Sequence, residues 1–345
     1  MTAPYAVVVP TIGRPELNAC LAALAACRGP APRHVVVVDD RPLSDCTPLD
    51  LTVPAALRDR LTVLPGCGNG PAAARNTGWR AVREPWVVFL DDDTVPGRSW
   101  AAELAADLDS AAPGVAAVQG RIVVPLPGGR RPTDWERTTA GLADARWITA
   151  DLACRRAALV AVGGFDERFR RAFREDADLA LRLIGAGWEL TRGHRSTAHP
   201  VRAADPWVSL RAQAGNADDA LMVRLHGRDW WERAGAGRGR LRRHAAVTAA
   251  GLAAVVLPLF GARRAAGAAA CAWLVGTAEF ALARILPGPR TAAEIRAMLR
   301  TSALIPPAAV RHRLLGTLRH RNAPPWSAAT APVRPAGAPA AELQG

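Results

Sequence analysis

Lysine is absent: all 44 basic side chains of this 345-residue chain are arginine. That excludes chemistry built on a lysine amine, including a Walker-type phosphate loop, a Schiff-base enzyme and lysine-activated nucleotidyl transfer. Cysteine is sparse, with six residues at 20, 27, 46, 67, 154 and 271. None forms a CxxC pair or sits at zinc-finger spacing from a histidine, so neither a structural zinc nor a disulfide framework is expected. They read as buried, reduced thiols of a cytosolic protein. The N-terminus also lacks a basic region followed by an apolar one, so no secretory signal is expected.

What is abundant is positive charge, +13 overall, which invites a nucleic-acid partner. Its distribution argues otherwise. Residues 1–230 carry 28 arginines against 27 carboxylates, whereas residues 231–345 carry 16 against four. The first two thirds are near neutral and rich in acid, and the excess belongs to the last third. With half the residues hydrophobic, the chain has ample core for one large or two ordinary domains.

Continuous apolar runs at 5–9 (YAVVV), 34–38 (HVVVV), 61–64 (LTVL) and 86–90 (WVVFL) read as buried strands. Helical spacing at 16–27, 71–83 and 99–109 alternates with them. The pattern predicts an α/β fold with a mainly parallel sheet covered on both faces. Functional groups then gather at the carboxyl ends of the strands. Further strands are expected at 115–124, 147–154 and 188–200, and helices at 175–186 and 206–225.

A Gly/Arg hinge at 233–243 separates residues 1–232 from the basic last third. Residues 245–262 carry no charge, and 265–283 carry only Glu279. Each approaches the roughly 20 residues that span a bilayer. Arginines flank both outer ends and the turn between them, which the positive-inside preference cannot satisfy in a spanning hairpin. A shallow interfacial hairpin avoids that conflict, and a soluble hairpin packed on the preceding domain stays open. Residues 233–321 are therefore expected to be an Arg-rich, membrane-associated helical region, and 322–345 a disordered Pro/Ala-rich tail.

Two acidic clusters end strands. Asp91-Asp92-Asp93 would repel if buried unpaired, and a divalent cation with hard oxygen ligands, Mg²⁺ or Mn²⁺, removes that cost. Asp91 and Asp93 can share one task where the strand turns into a loop; a solvated acidic turn is the alternative. Asp39-Asp40 could accept from a base NH or a ribose hydroxyl, or simply cap a turn. Residues 68–78 (GNGPAAARNTG) provide a tight turn and a helix start that can face an anion, with Arg75 as a charged fork. Glu175-Asp176 opens a helix, where a carboxylate is either a dipole partner or a general base on an alcohol. His199 is either a core histidine or a third metal ligand.

In order, VVVPTIGRPELNACLAAL, VVVVDD, GPAAARNTG, VVFLDDD, GGFDERF and REDADLALRL resemble the family 2 glycosyltransferases over about residues 5–200. The resemblance implies a GT-A fold and a nucleotide-diphosphate-sugar donor. It places Thr11 and Glu16 beside the nucleotide, Asp39 and Asp40 at the base, and Arg75 on the nucleotide. Asp91 and Asp93 match the DxD pair, with Asp92 between them on the donor side. Glu175-Asp176 matches the ED position, whose second carboxylate is the base, and His199 lies where some such enzymes place a metal ligand. Arg41-Pro42-Leu43-Ser44 departs from the usual Gly-Ser turn, and no QxxRW occurs near 207–231, which points to transfer of a single sugar.

The expected activity is metal-dependent, inverting transfer of one sugar to an acceptor hydroxyl. It is expected at the cytoplasmic face of a bacterial cell membrane, in envelope polysaccharide or glycolipid synthesis. The expected partners are the donor, a lipid-linked or envelope-glycan acceptor and an anionic membrane surface, with no nucleic acid. The competing readings are a nucleotidyltransferase, which the missing lysine disfavours, and a non-enzymatic basic protein of membranes or RNA, which leaves the buried-strand carboxylates unexplained.

Overall fold

The computed structural model describes residues 3–45 and 47–327. Cys46 and most of the tail expected to be disordered, residues 328–345, lie outside the described residues. The sheet is built from β1 (Tyr5–Thr11), β2 (His34–Asp39), β3 (Leu61–Pro65), β4 (Trp86–Leu90), β5 (Val95–Pro96), β6 (Val115–Val123), β7 (Asp151–Arg155) and β8 (Glu189–Ala198). Their order is β3-β2-β1-β4-β7-β6-β8-β5. β3, β2, β1 and β4 are parallel, as are β6 and β8. β7 runs antiparallel to both β4 and β6, and β5 to β8, so the expected mainly parallel sheet carries three antiparallel joins.

Both faces of the parallel half are buried, and the period-2 alternation of β1 sorts its side chains. Ala6 and Val8 join a core with Leu159 and Leu179 from α5 (Arg156–Val162) and α6 (Glu175–Gly185). Tyr5, Val7 and Val9 join another with Leu17 and Leu21 of α1 (Glu16–Ala25) and Leu104 of α3 (Trp100–Ser110). That double coverage explains why the strands read as unbroken apolar runs. The strand order reverses at β1, which lies between β2 and β4. The carboxyl ends of these three strands carry Thr11, Asp39-Asp40 and Asp91-Asp92-Asp93, so the acidic clusters sit at a topological switch point.

α2 (Pro71–Arg80) starts with proline at its first helical position, where the missing N–H costs nothing. Its cap, Gly70, has φ +93°, and a Cβ there would lie 2.7 Å from the Arg170 carbonyl oxygen. Glycine is thus required on both conformational and steric grounds. Beneath β8, the fully buried Arg195 donates to Asp151 at 2.8 Å and to Asp107 at 3.0 Å.

The remaining helices are α4 (Asp134–Ala140), α7 (Val208–Arg211), α8 (Asn216–His226), α9 (Trp230–Arg233), α10 (Leu241–Val256), α11 (Arg263–Ile285) and α12 (Ala292–Arg319). Residues Leu241–Phe260 and Arg263–Ile285 are long and apolar enough to cross a membrane by length and composition, and little of either is buried. They form a hairpin in which Gly251 meets Trp273 and Gly276 meets Val247. At its root, Arg284 donates to Asp134 at 2.7 Å and to Thr301 at 2.7 Å. α12 then passes over α8, where a Cβ on Gly316 would lie 2.5 Å from the Ala217 backbone.

Candidate active site

β5 brings the metal-type ligands together. Its pairing aligns Val95 with Ala198, so the next residue of the returning chain, His199, falls beside Asp93. One ligand atom each from Asp91, Asp93 and His199 lie within 4.8 Å of one another. Two carboxylate oxygens and one imidazole nitrogen suit Mn²⁺ or a similar divalent ion. His199 Nε2 lies 3.5 Å from Asp93 Oδ1, while Arg202 Nε holds Asp93 Oδ2 at 2.8 Å. Burial and the neighbouring Asp91 charge raise the Asp93 pKa, with His199 and Arg202 opposing the shift. The residues fit a divalent cation, since Asp93 keeps one oxygen directed toward His199 and Asp91 keeps one not taken by Arg75.

Behind the aspartates lies a buried ionic bridge. Arg75, 2% exposed, donates from Nη2 to Asp91 at 2.7 Å and from Nη1 to Glu175 at 2.9 Å. Glu175 is also 2% exposed, and its second oxygen has no hydrogen-bond partner among the described residues. Burial and the Asp176 charge push the Glu175 carboxyl up to about 8, against the pull of Arg75. Asp176 is half-buried, and desolvation raises its pKa too. Of the two carboxylates, only Asp176 is reachable by a substrate. The residue before them, Arg174, has φ +77°, a conformation arginine rarely adopts. It is held by Asp219 at 2.8 Å and by stacking on Phe173 and Trp230.

The other expected site residues divide. Asp92 turns away from the cation cluster: Thr11 Oγ1 and Arg14 Nη1 each donate to it at 2.7 Å. The pair ties the ends of β1 and β4 together. Asp40 accepts from the backbone of Asn69 and Gly70, both at 2.9 Å, and so shapes the glycine turn. Burial raises its pKa. Asp39 is paired with Arg41 at 2.6 Å, which holds its carboxyl low. Arg41 thus occupies the end of β2 where the usual motif has a small turn. Glu16 lies in the first turn of α1, with one buried oxygen unpartnered among the described residues. Sequence reasoning missed Arg14 and Arg202. Their only signal was position: Arg14 follows the first strand in TIGRP, and Arg202 stands three residues after His199.

A strand order that reverses at β1, acidic strand ends around it and a carboxylate helix start joined to them through Arg75 make a GT-A-type α/β fold. Residues 6–167 match the model for glycosyl transferase family 2. Over 170 residues the chain is 34% identical to the pre-mycofactocin glycosyltransferase of Mycobacterium tuberculosis, in strains CDC 1551 / Oshkosh and ATCC 25618 / H37Rv. The match covers 45% of this chain and 35% of the relative, so the chain spans about a third of the length of these curated relatives. Among solved structures, the mannosyltransferase PcManGT from Pyrobaculum calidifontis, in complex with GDP-Man and Mn²⁺, is 20% identical with a TM-score of 0.50. That likeness covers 91% of this chain and 88% of the other, and it bears on the fold.

Proposed function

We propose that the chain is a metal-dependent glycosyltransferase that moves one sugar from a nucleotide-diphosphate-sugar to an acceptor hydroxyl. The observation that carries this reading is the convergence of Asp91, Asp93 and His199, with Arg75 joining Asp91 to Glu175 beside Asp176. The family match and the Mn²⁺ and GDP-Man bound by PcManGT support it.

Asp91, Asp93 and His199 would hold the cation, which when bound supplies positive charge for a diphosphate leaving group. Thr11, Glu16, Asp39, Asp40, Asp92 and Arg75 form and fix the donor side, several of them by bracing its loops. Asp176 accepts the proton of the acceptor hydroxyl as the oxygen attacks the anomeric carbon. Its raised pKa brings it nearer the value useful to a general base. Glu175, buried behind it, holds Arg75. Direct displacement through an oxocarbenium-like transition state inverts the anomeric centre.

Residues 1–232 form the catalytic unit in this reading, and 233–321 the membrane-associated part. The hairpin lies along the cytoplasmic face of the membrane. Its tip presents Leu259 and Phe260, 80% and 79% exposed, next to Arg263 and Arg264. Arginines at both root and tip stay at headgroup depth only if the hairpin lies flat. A lipid-linked or envelope-glycan acceptor follows from that placement.

The test is a thermal-shift screen of nucleotide diphosphates and nucleotide sugars with Mn²⁺ and with EDTA. Ligand at a hundred times its dissociation constant adds about 2.7 kcal/mol. Stabilisation by one nucleotide family, only with the metal present, supports the reading; no response to any nucleotide overturns it.

A further inference from the structure

A groove of about 650 Å³ runs between α10 and α11, with Pro306 of α12 at its edge. Its volume falls in the range of small-molecule sites, roughly 300–1,000 Å³. Its lining changes character along its length. At the root it carries Arg240, Arg243 and Glu279, and toward the tip Val247, Ala250 and Val275. Residues 240 to 250 of one helix span about 15 Å at 1.5 Å per residue.

We propose that this groove holds the hydrocarbon chain of one anionic membrane lipid, its phosphate head gripped by Arg240 and Arg243. The proposal rests on the proposed function, in which the hairpin lies at a membrane surface. A ligand charged at one end and apolar at the other matches the gradient of the lining. The sign of the head follows from the root, where two arginines face a single carboxylate. Glu279 accepts from Arg240 at 2.6 Å, while Arg243 reaches it only at 3.5 Å. The Arg240 and Glu279 side chains are 34% and 51% exposed. An ion pair this open is weak, so a phosphate can take Glu279's place. Arg240 meets both Glu279 oxygens through Nη2 alone, whereas a phosphate can engage both prongs of the guanidinium fork. The root is fixed relative to the catalytic unit by the Arg284–Asp134 pair at 2.7 Å. The head is therefore held at the root end of the hairpin, and the tail runs along the groove toward Val247, Ala250 and Val275.

The full chain in neutral detergent is mixed with phosphatidylglycerol or phosphatidylcholine of matched acyl chains, and retained lipid is counted by native mass spectrometry. One phosphatidylglycerol per chain is expected, with phosphatidylcholine washed out. Arg240→Gln with Arg243→Gln is expected to cut retention at least tenfold. Ala272→Trp fills the groove from an exposed position, sparing the core, and is expected to abolish retention with the circular dichroism unchanged. Equal retention of both lipids, retention untouched by either variant, or a lipid-free dimer overturns the proposal. Flotation of the unmodified chain on phosphatidylglycerol vesicles is scored separately. Flotation without retained lipid defeats the groove alone, and no flotation defeats the membrane reading beneath it.

Discussion

Replacing Glu175 with glutamine isolates one charge at the centre of the molecule. Glu175 is 2% exposed, and burial with the Asp176 charge moves its pKa from 4.5 to about 8. Folding therefore takes up a proton here between those values. Because the folded value is the higher, the stability contributed is fully present below about pH 4.5 and is lost as the pH rises through about 8. At about 1.4 kcal/mol per pH unit, the full loss between 4.5 and about 8 is on the order of 5 kcal/mol. Glutamine keeps the shape and still accepts from Arg75, but it does not titrate. The assay is the melting temperature of Glu175→Gln minus that of the unmodified chain, in EDTA, from pH 5 to 9. Taking the difference cancels other buried carboxyls, such as Asp218, which burial moves to about 6. The difference is expected to rise with pH by about ten degrees, at about 2–4 °C per kcal/mol. A difference that stays flat across this range would refute the reasoning that a desolvated carboxyl sits at Glu175.

Three further outcomes are expected. Asp176→Asn should lower kcat by about 10²–10⁴-fold, while donor affinity measured by calorimetry stays within about twofold; unchanged turnover removes Asp176 from its role. His199→Ala should weaken Mn²⁺ binding, read by titration calorimetry without nucleotide, by one of three protein ligands; unaltered affinity would leave His199 a core histidine. Gly70→Ala should cost about 1–3 kcal/mol, seen as a melting temperature several degrees lower. The cause would be its φ of +93° and the 2.7 Å approach to Arg170.

Much of the sheet-bearing part was legible in the sequence because its strands are buried on both faces and end abruptly in acid. HVVVVDD and WVVFLDDD state both the strand and its carboxyl end. The antiparallel insertion of β7 was not legible, since an apolar strand reads the same in either direction. Adjacent aspartates hid a division of labour that only the turn geometry reveals. Asp91 and Asp93 face His199, whereas Asp92 turns to Thr11 and Arg14. Arg202 reaches Asp93 through the pairing of β5 with β8, two segments about a hundred residues apart. No local pattern could announce that contact. α12 falls within the stretch 233–321 expected to be helical, but its unbroken length was hidden, because Pro306 and Pro307 lie inside its 28 residues, where a proline ordinarily argues for a break.

The guanidinium of Arg75 is shared between Asp91 at the end of β4 and Glu175 at the start of α6. Positive charge arriving at the other Asp91 oxygen draws on the same carboxylate that Arg75 holds, and so changes how firmly the arginine holds Glu175. Protonation at Glu175 must act back on Asp91 by the same free energy, since coupling between two sites is reciprocal. One buried side chain thus makes the proton affinity at the acceptor side depend on occupancy at the donor side. In the proposed reaction, the first substrate to arrive thereby conditions the chemistry available to the second.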